Sequence, residues 1–356
     1  MKMDIHGGNI YKLQREGKKG IIDYSSNINP LGVPESLKKA IVDNFSLLEK
    51  YPDINYVELR ENIGNYNKIN SENIIVGNGA TEVLFLYMKA LKPKKVLIVS
   101  PTFAEYERAL KNIECEIDFF ELKEKENFVL DKDEFIKEAK KYNLVVICNP
   151  NNPTGNFISK EIIFEINEEL EKSDTKIFID ESFIEFIKNW EEKTVAEFKS
   201  KNIFILRALT KFFALPGIRL GYGICFDKNI IDEINSKREP WSVNTFADIA
   251  GKVILDDKEY IENTYKWIEE ERKNFTFSLK EIEKSGKIKV YKTETNFILL
   301  KLNTYKAEEF RNKMLEKNIL VRDASNFKFL DETFVRLAIK DRERNEKVIK
   351  AIKEVL

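Results

Sequence analysis

One histidine, His6, stands among 356 residues. Catalytic triads and His-based metal centres need an imidazole beside a nucleophile or further ligands, so this scarcity excludes much of that chemistry. Proton transfer falls mainly to lysine, tyrosine or carboxylates. Cysteine is also scarce: Cys115, Cys148 and Cys225 are widely spaced and form no CxxC pair. An odd, unpatterned set argues against a disulfide framework or a zinc site. Net charge is lacking too, since 59 Lys+Arg against 60 Asp+Glu leave -1 and no global field to attract nucleic acid. Charged runs such as Glu269-Glu270-Glu271-Arg272-Lys273 read as solvated helix faces. No apolar run is long enough to span a bilayer, and Met1-Lys2-Met3-Asp4 leads to His6-Gly7-Gly8 with no apolar signal core. The expected compartment is the cytoplasm, with neither membrane nor nucleic acid as partner.

What is present is ample core material, with 43% hydrophobic residues in a chain long enough for two lobes. Short apolar, β-branched runs end in Gly, Asn, Pro or Asp. Ile74 to Val76 precedes Gly77-Asn78-Gly79, Val96 to Val99 precedes Ser100-Pro101, and Leu144 to Ile147 precedes Cys148-Asn149-Pro150. Ile177 to Ile179 precedes Asp180-Glu181, and Ile203 to Leu206 and Leu220 to Ile224 complete the series. Continuous rather than alternating runs predict strands buried on both faces, hence an α/β fold with a mostly parallel sheet covered by helices. In such sheets ligands bind beyond the carboxyl ends of the strands. That edge would gather Gly79, Asn152, Asp180 and Lys211. After Pro240-Trp241-Ser242 the pattern changes to a long charged helix (about 260–284), strands at 288–290 and 297–302, and a final helix with Val348, Ile352 and Val355 on one face. This predicts a smaller α+β lobe.

Lys211 follows an apolar strand in Arg207-Ala208-Leu209-Thr210-Lys211-Phe212, and Arg219 lies eight residues on. A lysine is common in this chain, but one with a depressed pKa in an apolar pocket is a Schiff-base nucleophile, and a nearby guanidinium suits a phosphate. Asp180 ends its strand, where it equally suits a helix N-cap or the partner of a cationic ring nitrogen. Asn149-Pro150-Asn151-Asn152-Pro153-Thr154-Gly155 is a dense turn signal. The loop Gly77 to Glu82 joins a strand to a helix whose N-terminal N–H groups form an anion site.

Taken in order, GNGATE, PTFAEY, NPNNPTG, IDESF, LTK and PGIRLGY resemble the aminotransferase class I/II superfamily of fold-type I pyridoxal 5′-phosphate (PLP) enzymes over essentially the whole chain. The resemblance implies a Schiff base on Lys211, Asp180 at the ring nitrogen, Asn152 at the phenolic oxygen and Phe103 stacked on the ring. It implies a phosphate held by the amides of Ala80 and Thr81, by Arg219, and by Tyr51 of a second subunit, so that the enzyme is a homodimer with shared sites. Arg336 would pair with the substrate's α-carboxylate, a bidentate task suited to guanidinium. It further implies an N-terminal arm (1–35) packing with the small lobe, a large PLP-binding lobe (36–240) and a small C-terminal lobe (241–356). A binding module on this fold would be expected to lack the lysine, and a nicotinamide enzyme to carry GxGxxG after its first strand, which this chain does not.

Two positions depart from the superfamily pattern: Ala208 where Ser or Thr is common, and Phe183 where Tyr is common. Each deletes one hydrogen bond to the cofactor, about 0.5–1.5 kcal/mol. The start His6-Gly7-Gly8-Asn9, the stretch Ser25 to Gly32, Phe183, Pro240 to Asn244 and Val321-Arg322 resemble the L-threonine-O-3-phosphate decarboxylases, which make the aminopropanol phosphate of cobalamin. The histidinol-phosphate aminotransferases are the sister group. Both act on phosphorylated substrates, and the resemblance implies that His6, Asn9 and Arg322 help bind that phosphate while the Asn27 region helps hold the carboxylate. On this resemblance decarboxylation is the expected reaction, and transamination the alternative.

Overall fold

The computed structural model describes residues 7–356, so His6 lies outside the described residues. After a short helix (Ile10–Arg15) and the two-residue strand β1 (Ile22–Asp23), seven strands build one sheet. They are β2 (Ile74–Asn78), β3 (Lys95–Ser100), β4 (Glu116–Glu121), β5 (Leu144–Cys148), β6 (Lys176–Asp180), β7 (Ile203–Ala208) and β8 (Leu220–Cys225). Their order is β2-β8-β7-β6-β5-β3-β4. All six expected strands form, and the sheet is mostly parallel. β8 is the exception, antiparallel to both β2 and β7. Residues 209–219 between β7 and β8 are too few for a parallel crossover, which needs about a dozen or more. The edge strand β4 was not among the expected six. Its sequence Glu-Ile-Asp-Phe-Phe-Glu alternates charged and apolar residues at its start, without the continuous apolar run that marks the inner strands.

Both faces of the inner strands are buried, which is why their sequences do not alternate. Val145 and Ile147 cluster with Ile177, Ile179, Ile203 and Ile205, and with Ile163 and Ile166 of the helix Lys160–Glu171. Leu144 and Val146 cluster on the other side with Phe178, Phe204 and the helix Ala80–Leu91. There Phe178 stacks on Phe204 at 5.7 Å and 8°. Truncating Phe178 to Ala is expected to cost about 3–5 kcal/mol.

The C-terminal lobe holds β9 (Ile288–Val290), β10 (Phe297–Leu302), β11 (Ile319–Leu320), β12 (Arg322–Asp323) and β13 (Phe334–Ala338), with an antiparallel sheet in the order β12-β13-β10-β9. Its long helix runs Lys258–Glu283, begun by Asp257, whose carboxylate accepts from Tyr260 N at 3.0 Å. The final helix is Arg342–Val355, and it buries Val348 and Ile352. β1 pairs in parallel with β11, and Leu13 packs on Leu315 and Leu320, so the N-terminal segment lies against this lobe. Beyond residue 240, the helix Thr245–Val253 sits on Val57–Asn67, close enough that a Cβ on Gly251 would lie 2.1 Å from Leu59.

Candidate active site

The carboxyl ends of β5, β6 and β7 open into a cavity of about 740 Å³ that also takes walls from the N-terminal segment and from β12 and β13. Strand geometry sends Asp180, the last residue of β6, to its floor. Tyr106 donates to Asp180 Oδ2 at 2.6 Å and the Ser182 amide donates to Oδ1 at 2.8 Å. Burial pushes the Asp180 carboxyl above the usual range, opposed by these donors and by Lys211. A buried carboxylate is costly until a cation meets it.

Lys211 is half-buried in the short helix Leu209–Phe212 directly after β7. Burial, with Arg219 and Arg336 nearby, lowers its ammonium to about 8 against the pull of Asp180. An amine so tuned is largely neutral just above that pH and therefore nucleophilic.

Arg219 is held at φ +61 and packs over Gly79 at the start of the helix Ala80–Leu91. Gly79 has φ +80, and a Cβ there would lie 2.4 Å from Arg219 Nη2. Ala80, Thr81 and Arg219 all line the cavity, so helix N–H groups and a guanidinium converge as an anion cradle. Phe103 lines the wall and meets Tyr106 edge-to-face at 5.7 Å.

The opposite wall is cationic. Arg336 on β13 is buried, donates through Nη1 to Asn152 Oδ1 and through Nη2 to Ser25 O at 2.7 Å, and leaves Nε without a partner among the described residues. Burial, together with Arg322, lowers its guanidinium to about 9. Asn152 thereby spends its oxygen on Arg336, which leaves its Nδ2 as the donor of that amide. Arg322 on β12 lies opposite Arg336 in register and donates to Asn326 Oδ1 at 2.7 Å. Asn27 is buried in the same wall, with Oδ1 unpartnered among the described residues.

Not every expected residue joins this group. Asn9 is exposed at the start of the helix Ile10–Arg15 and does not line the cavity. Tyr51 is 81% exposed, tilted against Trp241 at 4.9 Å, and outside the cavity of its own chain. Two contributors were not singled out from sequence. Tyr106, the donor to Asp180, ends the PTFAEY motif, so its signal was at hand. Asn326, the acceptor beside Arg322, sits in Ser325-Asn326-Phe327 with no motif to mark it.

A pyridine ring bearing a phosphate fits this cavity, its nitrogen suited to the Asp180 carboxylate and its phosphate to the cradle at Ala80, Thr81 and Arg219. Fold and site define a PLP-dependent enzyme of fold type I. The sequence pattern of the family "Aminotransferase class I and II" matches residues 19–352, and the chain belongs to that family. It is 43% identical over 99% of its length to a protein of Caldanaerobacter subterraneus subsp. tengcongensis provisionally named threonine-phosphate decarboxylase, covering 94% of that protein. It is 34% identical to the threonine-phosphate decarboxylase of Salmonella typhimurium, over 99% of this chain and 96% of that one. Among solved structures, the histidinol-phosphate aminotransferase of Clostridium acetobutylicum superimposes with a TM-score of 0.88 at 40% identity, covering 93% of this chain and 98% of that one.

Proposed function

We propose that the protein is a cytoplasmic homodimer that decarboxylates L-threonine O-3-phosphate to (R)-1-aminopropan-2-yl phosphate, with Lys211, Asp180, Asn152, Arg219 and Arg336 as its working groups. The observation that carries the reading is the pair Arg322 and Arg336, both buried on one cavity wall and opposite in register. Two buried guanidiniums side by side repel each other and have lost hydration, and both costs fall when anions arrive. A phosphorylated amino acid brings two: the α-carboxylate to Arg336 and the phosphate to Arg322. Asn27 completes the substrate's surroundings in this reading.

Bound PLP supplies an electron sink for the pair released when a bond to the substrate's α-carbon breaks. Asp180 would oppose the positive charge of the ring nitrogen, Asn152 Nδ2 would donate to the phenolic oxygen, and Phe103 would cover the ring. Ala80, Thr81 and Arg219 would hold the cofactor phosphate, with Tyr51 of a second subunit. Lys211 would hold the cofactor, and its amine would carry the proton that replaces the departing CO₂ on the α-carbon. The preference for decarboxylation leans on the two threonine-phosphate decarboxylase relatives. The 40% identity to a histidinol-phosphate aminotransferase supports a second reading, in which Lys211 shuttles the α-proton and the amino group is transferred.

The deciding experiment offers the purified enzyme both phosphorylated amines and measures CO₂ release against 2-oxoglutarate consumption. CO₂ from threonine phosphate is expected. Stoichiometric 2-oxoglutarate consumption without CO₂ would reverse the assignment.

A further inference from the structure

The segment Ser25 to Ile28 lines the cavity, and its carbonyls are all taken by side chains of the C-terminal lobe. Arg336 Nη2 donates to Ser25 O at 2.7 Å, Asn296 Nδ2 to Asn27 O at 3.1 Å, and Lys340 Nζ to both Ser26 O and Ile28 O at 3.2 Å. At its far end Asn29 ties the segment to the lysine turn, N to Lys211 O at 3.2 Å and Nδ2 to Phe212 O at 2.7 Å. The strap thus bridges the lobe that carries Arg336 and the turn that carries Lys211. Within it, Asn27 Oδ1 is a buried acceptor with no partner among the described residues, a group that needs an external donor.

Lys340 is the member that packing alone does not explain. It is 6% exposed, and its ammonium faces the two carbonyls. The charged groups around it are Asp23 on the arm and Asp341 and Arg344 at the start of the last helix. Burying an ammonium is costly where no carboxylate of the described residues pairs with it directly, and the Lys340 backbone has separate anchors in Asn345 Oδ1 at 3.0 Å and Nδ2 at 2.8 Å. The side chain is therefore dispensable for holding its own strand end. What it does hold are the carbonyls immediately before and after Asn27.

We infer that Lys340 is a positioning residue for the substrate: by bridging Ser26 O and Ile28 O it fixes Asn27 and the adjoining backbone in the cavity wall. It touches no reacting atom. The inference rests on the reading of this cavity as the site of a phosphorylated amino acid.

The test compares PLP-loaded wild type with Lys340→Met, Lys340→Arg and Lys340→Gln. Hydrogen–deuterium exchange reads the strap directly: residues 25–29 exchange faster in Lys340→Met and return toward the wild-type rate in Lys340→Arg. Kinetically, the Met variant raises KM for O-phospho-L-threonine by roughly tenfold or more, from the loss of charge-assisted bonds, while kcat is largely kept. Lys340→Arg recovers KM, and Lys340→Gln, which keeps an N–H donor, falls between. A merely structural lysine would lower the melting temperature and leave KM at the wild-type value in the folded fraction, and that result overturns the inference. So does unchanged exchange at 25–29 in Lys340→Met. The exchange measurement needs no turnover, so it decides the role of Lys340 on the strap even if the wild type performs neither proposed reaction.

Discussion

Arg322 and Arg336 stand directly opposite each other in the antiparallel register of β12 and β13, each only 5% exposed. Like charges opposite in a sheet destabilise it, and here burial removes the water that would screen them. Arg336 answers with a guanidinium lowered to about 9, burial first and Arg322 second. An anion bound between them should relieve this. With the Ala80–Arg219 cradle filled by PLP, inorganic phosphate is accordingly expected to raise the melting temperature of the wild type, by mass action worth about 2.7 kcal/mol at a hundredfold excess over Kd. Arg322→Met should lose most of that shift in the same thermal scan, and should raise KM for the phosphorylated substrate about 10–100-fold. An equal phosphate shift in both proteins would place the anion elsewhere.

Lys211 gives a pH signature in the cofactor-free protein. Its folded pKa of about 8 lies below the unfolded value near 10.5, so between those pH values the unfolded chain binds more protons than the native one. Stability contributed by this site therefore rises with pH from about 8 to about 10, and below pH 8 the charged amine is a constant penalty. Lys211→Met removes the group, so its stability advantage over wild type should be largest below pH 8 and shrink above it, read from urea midpoints. In the loaded wild type, borohydride should fix the cofactor to the peptide containing Lys211 and to no other. A labelled peptide from Lys211→Met would show that another lysine carries it.

Much of this site could be read before any coordinates. Lys211, Asp180 and Asn152 each end an uninterrupted apolar strand or sit in the turn beyond it, and burial of the strand on both faces leaves its polar terminus nowhere but the sheet rim. β4 was missed because an edge strand needs only one buried face and tolerates its Glu and Asp. The antiparallel direction of β8 depends on a connection length that apolarity does not encode. Lys340 and Asn296 were invisible for another reason. Asn296 lies 269 residues from Asn27 and Lys340 lies 314 from Ser26, and no local period records such contacts.

The Tyr106–Asp180 hydrogen bond at 2.6 Å should set how readily the floor carboxylate stays charged. Burial raises the Asp180 pKa, and the Tyr106 and Ser182 donors restrain it. Removing one by Tyr106→Phe should raise it further, weakening the hold on a cationic ring nitrogen. PLP affinity, followed by fluorescence titration of the apoprotein, is expected to fall roughly tenfold. The loss should grow as pH is lowered, because protonation of Asp180 begins at higher pH in the variant. A uniform loss across pH would mean that Tyr106 acts by packing, through Phe103 and Phe178, rather than through the carboxylate.

Ala208 and Phe183 line the cavity without a hydroxyl to offer, and adding one at each should move PLP affinity upward. Ala208 is 5% exposed at the end of β7, next to the turn that carries Lys211. Ala208→Ser adds a donor of small volume beside the anion cradle, worth about 0.5–1.5 kcal/mol, or up to roughly tenfold in Kd. Phe183 sets a stricter condition, because it packs edge-to-face on Phe297 at 5.1 Å. In Phe183→Tyr the new hydroxyl gains only if it reaches the cofactor. Stranded among those rings it would cost about 1–3 kcal/mol of folding stability. Both variants are expected to bind PLP more tightly with an unchanged apoprotein melting temperature, and the double variant to be close to additive if the two hydroxyls meet different cofactor oxygens. Weaker binding in Ala208→Ser would remove the phosphate from the Ala80–Arg219 end of the cavity.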